Sequence, residues 1–128
     1  MQQIAGTRRI LIVDDSSTSR MITRRCFEIA SGDSVDFYEA ADGLAALKLL
    51  YEHDVDLIIT DVNMPEMDGL AFVWQAKASR RLQSVPIVVL SSMKNEEIEC
   101  AFVGLGVSEF IQKPISPAKV AELLGDSR

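Results

Sequence analysis

Ile10-Leu11-Ile12-Val13 runs straight into Asp14 and Asp15, Leu57-Ile58-Ile59-Thr60 into Asp61, and Phe110-Ile111-Gln112 into Lys113. Each run reads as a strand. If the strands are parallel neighbours in one sheet, three carboxylates and one ammonium converge at a single edge. Each acid alone has a structural explanation: Asp14 or Asp15 could cap the following helix, and Asp61 could belong to a turn leading to Pro65. Together they repel, each like-charged pair costing on the order of 4 kcal/mol at about 4 Å and an effective dielectric near 20. A cation should offset that repulsion. Mg²⁺ is the economical choice, since it commonly uses one or two carboxylates, several waters and the oxygens of a substrate phosphate. That points to phosphate chemistry. Lys113 adds a fixed positive charge, and Ser91, ending a fourth apolar run, offers a hydroxyl for a phosphoryl oxygen.

The elements that must bring these residues together are legible in order. Ile10 to Val13 reads as a buried strand and Ser16 to Ala30 as a helix with Ile22, Cys26 and Ile29 on its inner face, stopped by Gly32. A strand follows over Val35 to Glu39, then a helix over Gly43 to Tyr51 with Leu44, Leu47, Leu50 and Tyr51 on one face. Val55 to Thr60 is apolar enough for the sheet centre. Gly69 to Ala78 reads as a helix through Leu70, Val73 and Trp74, and Pro86 to Leu90 as a strand whose opening proline is tolerated. Asn95 caps a helix to Gly104 with Ile98, Ala101, Phe102 and Leu105 inward. Glu109 to Gln112 and Pro117 to Leu124 are a last short strand and helix. Five strands alternating with five helices predict a doubly wound α/β fold: a five-stranded parallel sheet, order 2-1-3-4-5, with helices on both faces. In such a sheet the ligand site lies beyond the strand carboxyl ends, where strands 1 and 3 diverge, and there Asp14, Asp15 and Asp61 fall.

Composition bounds the function. The 128 residues, 48% hydrophobic and 25% charged, suit one soluble domain. A net charge of -6 argues against nucleic acid as a direct partner. No apolar run approaches the roughly 18 residues of a membrane span, and Thr7-Arg8-Arg9 precedes too short a run to be an export signal. Cys26 and Cys100 lack metal-ligand spacing and suit reduced thiols in a cytosolic protein.

Several stretches resemble the receiver domain of two-component response regulators, in size the single-domain chemotaxis type. They are Val13-Asp14-Asp15, Ala40-Ala41-Asp42-Gly43-Leu44-Ala45-Ala46-Leu47, Asp61-Val62-Asn63-Met64-Pro65-Glu66-Met67-Asp68-Gly69, Leu90-Ser91-Ser92 and Phe110-Ile111-Gln112-Lys113-Pro114. The resemblance covers nearly the whole chain and implies a flavodoxin-like receiver over 10–125, a leader over 1–9 and a tail over 126–128. It implies Asp61 as phosphoacceptor, Asp15 and Asp61 as direct Mg²⁺ ligands, Asp14 acting through a metal-bound water, and the Asn63 carbonyl completing the set. Lys113 would stabilise the phosphoryl oxygens, Ser91 would bond one of them, and Phe110 would move inward as Ser91 is drawn to the phosphate. The donor would be a phosphohistidine on a sensor kinase or histidine phosphotransfer protein, and the location cytoplasmic. Output would pass through the surface of the fourth helix, fifth strand and fifth helix, where Glu96, Glu99, Cys100 and Val103 turn outward.

Two positions depart from frequent family choices. Phe110 stands where many relatives carry Tyr, so a hydroxyl contact is lost but rotation by packing survives. Ser91 keeps the hydroxyl of the commoner Thr while its χ1 is freer. Asn63 and Met93 occupy places that influence dephosphorylation in this family. Other residues carry ordinary readings. His53 belongs to the surface and Trp74 is filler. Arg20, Arg24 and Arg25 form either a solvated basic face or a dock for a phosphotransfer helix. Two other functions compete: a constitutive interaction module of the same fold, and a hydrolase working through an aspartyl phosphoenzyme. The latter lacks an acid two residues after Asp61, where Asn63 stands.

Overall fold

A computed structural model describes residues 7–31 and 35–125. Its element order is β1 (Arg9–Val13), α1 (Ser17–Ser31), β2 (Asp36–Ala40), α2 (Gly43–Glu52), β3 (Leu57–Asp61), α3 (Gly69–Ala78), β4 (Ile87–Ser91), α4 (Glu96–Gly104), β5 (Glu109–Gln112) and α5 (Pro117–Leu123). All strand pairs are parallel, in the order β2-β1-β3-β4-β5. The helix stop expected at Gly32 lies outside the described residues.

The register sets the height of each reactive residue. Val13 pairs with Thr60, so Asp14 comes level with Asp61, and its N–H donates to the Ala40 carbonyl at 3.0 Å. Asp61 pairs with Leu90, Leu90 with Ile111 and Ser91 with Gln112. Lys113 then leaves β5 one step above Ser91, its N–H donating to the Ser91 carbonyl at 2.7 Å. At the opposite end, Asp56 Oδ2 accepts from the N–H groups of Arg8 and Arg9 at 3.0 and 2.9 Å, fixing where β1 begins.

Alternation along the strands divides the core between the two faces. Ile10, Ile12, Ile59, Val88 and Leu90 pack with Cys26 and Phe27 of α1 and Val120 and Leu123 of α5. Leu11, Val13, Ile58, Ile87 and Val89 pack with Ala46 and Leu50 of α2, Phe72, Val73 and Ala76 of α3, and Phe102 of α4.

The helix faces correct part of the sequence reading. In α1 the buried residues are Thr23, Cys26 and Phe27, while Ile22 and Ile29 are exposed. In α2, Leu44 and Tyr51 are exposed; Leu50 is buried and Leu47 packs partly against the core. In α3, Val73 is buried but Leu70 and Trp74 are exposed, and in α4 only Phe102 is buried, with Ile98 and Ala101 open to solvent. The cause is shared. A helix laid on a sheet buries only its innermost stripe, which here is taken by small residues such as Thr23, Ala46 and Ala76 together with Phe27, Phe72 and Phe102.

Candidate functional site

The mouth at the carboxyl edge begins with a question of caps. Ser16, not Asp14 or Asp15, caps α1: its Oγ accepts from the Ser19 N–H at 3.1 Å. Asp14 turns back instead, its Oδ1 accepting from the Ser16 N–H at 3.0 Å. Both acids are thereby left for the sheet edge. Asp14 is buried, Asp15 exposed and Asp61 partly buried, and one carboxylate oxygen from each lies within 4.8 Å of the others. The convergence expected from the three strand ends is present.

Lys113 supplies the positive charge. Its Nζ lies 2.9 Å from Asp14 Oδ2 and 3.5 Å from Asp61 Oδ2, and donates to Ser19 Oγ at 3.1 Å. Ser19 was not singled out in the sequence. It lies in the first turn of α1, 94 residues from Lys113, and only the run of hydroxyls from Ser16 to Ser19 hinted at a polar start to that helix. Arg20 also contributes, donating to the Asp14 carbonyl at 2.6 Å and pairing with Glu39 at 2.9 Å. Arg24 pairs with Glu28 and Glu39 and lies over the Phe37 ring, and Arg25 pairs with Glu28. The basic stripe is thus largely engaged with acids of its own surface.

The carboxylates respond in opposite directions. Burial pushes the Asp61 carboxyl above its ordinary value, the Asp14 charge adds to the rise, and Lys113 offsets only part of it. Burial acts in the same sense on Asp14. There, however, hydrogen bonds from Ser19, from the Ser16 N–H and from Lys113 outweigh it and hold the group below its ordinary value. Asp61 is the less comfortable anion.

The loop after β3 is held by close backbone packing. Asp61 Oδ1 accepts from the Val62 N–H at 2.8 Å, and the Gly69 N–H donates to the Val62 carbonyl at 2.8 Å. A Cβ on Gly69 would collide with the Asp61 carbonyl oxygen, so the glycine is required by approach. Glu66 turns the loop at a φ of 66°, and Asp68 caps α3 by accepting from the Ala71 N–H at 2.9 Å. Asn63, exposed, lines a cleft between α3 and α4.

On the other flank, Ser91 is buried. Its hydroxyl donates to the Met93 carbonyl at 2.7 Å and accepts from the Met93 N–H at 3.2 Å. Phe110 is partly buried, its ring centroid 5.8 Å from that of Phe102. Ser91 and Phe110 both line a cavity of about 190 Å³, bounded also by Met93, Asn95 and Glu99. Among residues given ordinary readings, His53 is partly buried and stacks on Tyr38 at 4.7 Å, Cys26 donates to the Ile115 carbonyl at 3.5 Å, and Cys100 is exposed. No described helix is long and apolar enough to cross a membrane.

An acidic cluster at the switch point of a 2-1-3-4-5 sheet, with a lysine reaching in from the last strand, defines a class, and comparison with known proteins gives it a name: the chain belongs to the response regulator receiver domain family, whose model matches residues 10–124. Its biochemical role is that of a phosphorylation-switched signalling domain. It is 35% identical over 119 residues to the Chemotaxis protein CheY homolog of Campylobacter jejuni, covering 92% of this chain and 90% of that one. It is 32% identical over 109 residues to the Sensor histidine kinase CheAY of Helicobacter pylori, covering 84% of this chain but 13% of that protein. The solved chemotaxis response regulator CheY4 of Vibrio cholerae superposes with a TM-score of 0.81 at 29% identity, over 92% of this chain and 96% of that one.

Proposed function

We propose that Asp61 accepts a phosphoryl group, that Asp14, Asp15, Asp61 and the backbone carbonyl of Asn63 hold Mg²⁺, and that Lys113 and Ser91 receive the phosphoryl oxygens. The observation that carries this is the meeting of three carboxylates within 4.8 Å, two of them touched by one ammonium. A donor set made only of hard oxygens fits Mg²⁺. When bound, the ion supplies neutralisation of charge on the phosphoryl oxygens of a loose transition state.

The chain's own residues do the rest. Asp61 Oδ1 is committed to the Val62 N–H, which leaves Oδ2, beside Lys113, to attack phosphorus in line. As the new P–O bond forms, the P–N bond to a donor histidine breaks and its electron pair returns to the imidazole. Lys113 moves the short distance from Asp14 onto a phosphoryl oxygen. Ser91 exchanges its bond to the Met93 carbonyl for one to the phosphate, and Phe110 swings into the cavity beside it. Packing alone drives that rotation, because Phe110 has no hydroxyl to anchor.

The donor in this scheme is a histidine kinase or a histidine phosphotransfer protein, presented in the cytoplasm. The receiver unit is 10–125, with 1–9 a leader and 126–128 a tail. The altered surface is that of α4, β5 and α5, read by a downstream protein. Water later attacks the acyl phosphate and resets the domain, so the chain catalyses only its own phosphotransfer and dephosphorylation. A constitutive interaction module is not favoured, since it would have no use for so crowded an acidic mouth. A hydrolase is disfavoured by Asn63 in the place of a second acid. Borohydride reduction after treatment with Mg²⁺ and acetyl phosphate, followed by peptide mapping, tests the assignment. Homoserine at position 61 is expected, and homoserine at another position would overturn it.

A further inference from the structure

The residues that sequence periodicity assigned to the buried faces of α3 and α4 instead border an open groove. Leu70 is 39% exposed and Ile98 36%, and with Val62 and Phe102 as the floor they line a mainly apolar cavity of about 260 Å³. Trp74, one turn beyond Leu70 on the same side of α3, is 60% exposed and extends the apolar stripe. Its rim is acidic. Asp68 and Glu97 stand on the two sides, α4 holds Glu96, Glu97 and Glu99 and no basic residue, and the one basic residue of α3, Lys77, donates to the Gln83 carbonyl at 3.2 Å.

We propose that this groove binds a peptide segment of a partner protein that inserts one bulky apolar side chain between Leu70 and Ile98 and sets flanking Lys or Arg residues against Asp68 and Glu97. A cavity of about 260 Å³ has room for a bulky apolar anchor and is too small for the face of a whole helix. The charge decides the flanks, because an acidic rim around an apolar floor attracts cationic segments and repels anionic lipid and nucleic-acid backbones. It also repels a second copy of this chain, which has a net charge of -6 and would present like rims face to face. The groove lies on the α3 side of α4, where Ile98 lines it with Leu70, whereas Glu99 borders the cavity beside Phe110 on the β5 side of the same helix. The proposal does not rest on Asp61 being the phosphoacceptor.

Selection from a displayed random 12-residue peptide library against the whole chain, with counter-selection on Glu97→Lys, tests this. Glu97 is exposed, so the substitution keeps the fold, and Leu70→Ala provides a second variant that removes the anchor wall without adding charge. Enriched peptides are expected to pair a large apolar residue with neighbouring Lys or Arg. They should shift the emission of Trp74, the single tryptophan, bind about tenfold more weakly to either variant, and weaken as salt rises. Absence of enrichment, an acidic or uncharged consensus, equal affinity for Glu97→Lys, or unchanged Trp74 emission would each overturn it. So would dimerisation in sedimentation equilibrium that Glu97→Lys abolishes, which would assign the groove to a second copy.

Discussion

The two flanks of the sheet's carboxyl edge are built differently. On the β1–β3 side, Asp14, Asp61, Lys113, Ser19 and the Gly69 backbone are locked by contacts of 2.8 to 3.5 Å. On the β4–β5 side, Ser91 is tied to its own loop through Met93, and Phe110 borders a cavity. One flank is preorganised and electrostatically tense, the other loosely filled and free to rearrange. Chemistry that depends on fixed charge belongs on the first, and a packing switch belongs on the second. Removing a contact should therefore cost most stability on the first flank and mainly responsiveness on the second, while relieving the crowded charge of the first should add stability.

The largest expected effect comes from Lys113→Ala, which strands the buried Asp14 carboxylate without its ammonium and leaves Asp61 unopposed. A loss of roughly 3 kcal/mol in denaturant unfolding at neutral pH is expected. The pH dependence has a definite sign. Asp14 is held below its ordinary value in the folded chain, so its contribution is present above about pH 4 and fades as pH falls through the folded value. The gap between wild type and Lys113→Ala should narrow in acid, and a gap independent of pH would break the electrostatic account.

Next in size is Gly69→Ala, whose added Cβ must displace the Asp61 and Val62 backbone. About 2 kcal/mol of destabilisation is expected, with slower phosphoryl uptake. Retention of both would show that the loop yields more than its geometry implies. Asp61→Asn should go the other way, stabilising the metal-free chain by about 1 kcal/mol, or roughly 2–5 °C in Tm. Asp61 lies above its ordinary value in the fold, so its ionised form weakens the fold at pH above that value. The gain should disappear in acid and shrink when Mg²⁺ is added. Smallest is Ser91→Ala: about 1 kcal/mol lost with the Met93 bond, phosphoryl uptake retained, and the chemical-shift changes at Phe110 and α4 abolished. Loss of uptake itself would erase the distinction between the flanks.

The same contrast governs what the sequence disclosed. Strand order and the convergence of Asp14, Asp15, Asp61 and Lys113 were legible because short continuous apolar runs mark strands buried on both faces and a parallel sheet leaves few places for their ends. Helix faces were less so. Ile22, Ile29, Leu44, Tyr51, Leu70, Trp74, Ile98 and Ala101 fit helical periodicity but are exposed, since the innermost stripe went to small residues and to Phe27, Phe72 and Phe102. Ser19 was hidden by sequence distance, and the Gly69 contact by its being backbone against backbone. The Ser16 cap shows how a local choice decides a distant one: by satisfying α1, it leaves Asp14 and Asp15 to the mouth.

Intact mass spectrometry of the purified chain incubated with acetyl phosphate, with and without Mg²⁺ and alongside Asp61→Asn, tests the central claim most directly. One added phosphoryl group on the wild type, only with Mg²⁺ and never on the variant, is the predicted result. A folded wild type that stays unmodified, or an Asp61→Asn chain that gains the same mass, would contradict it.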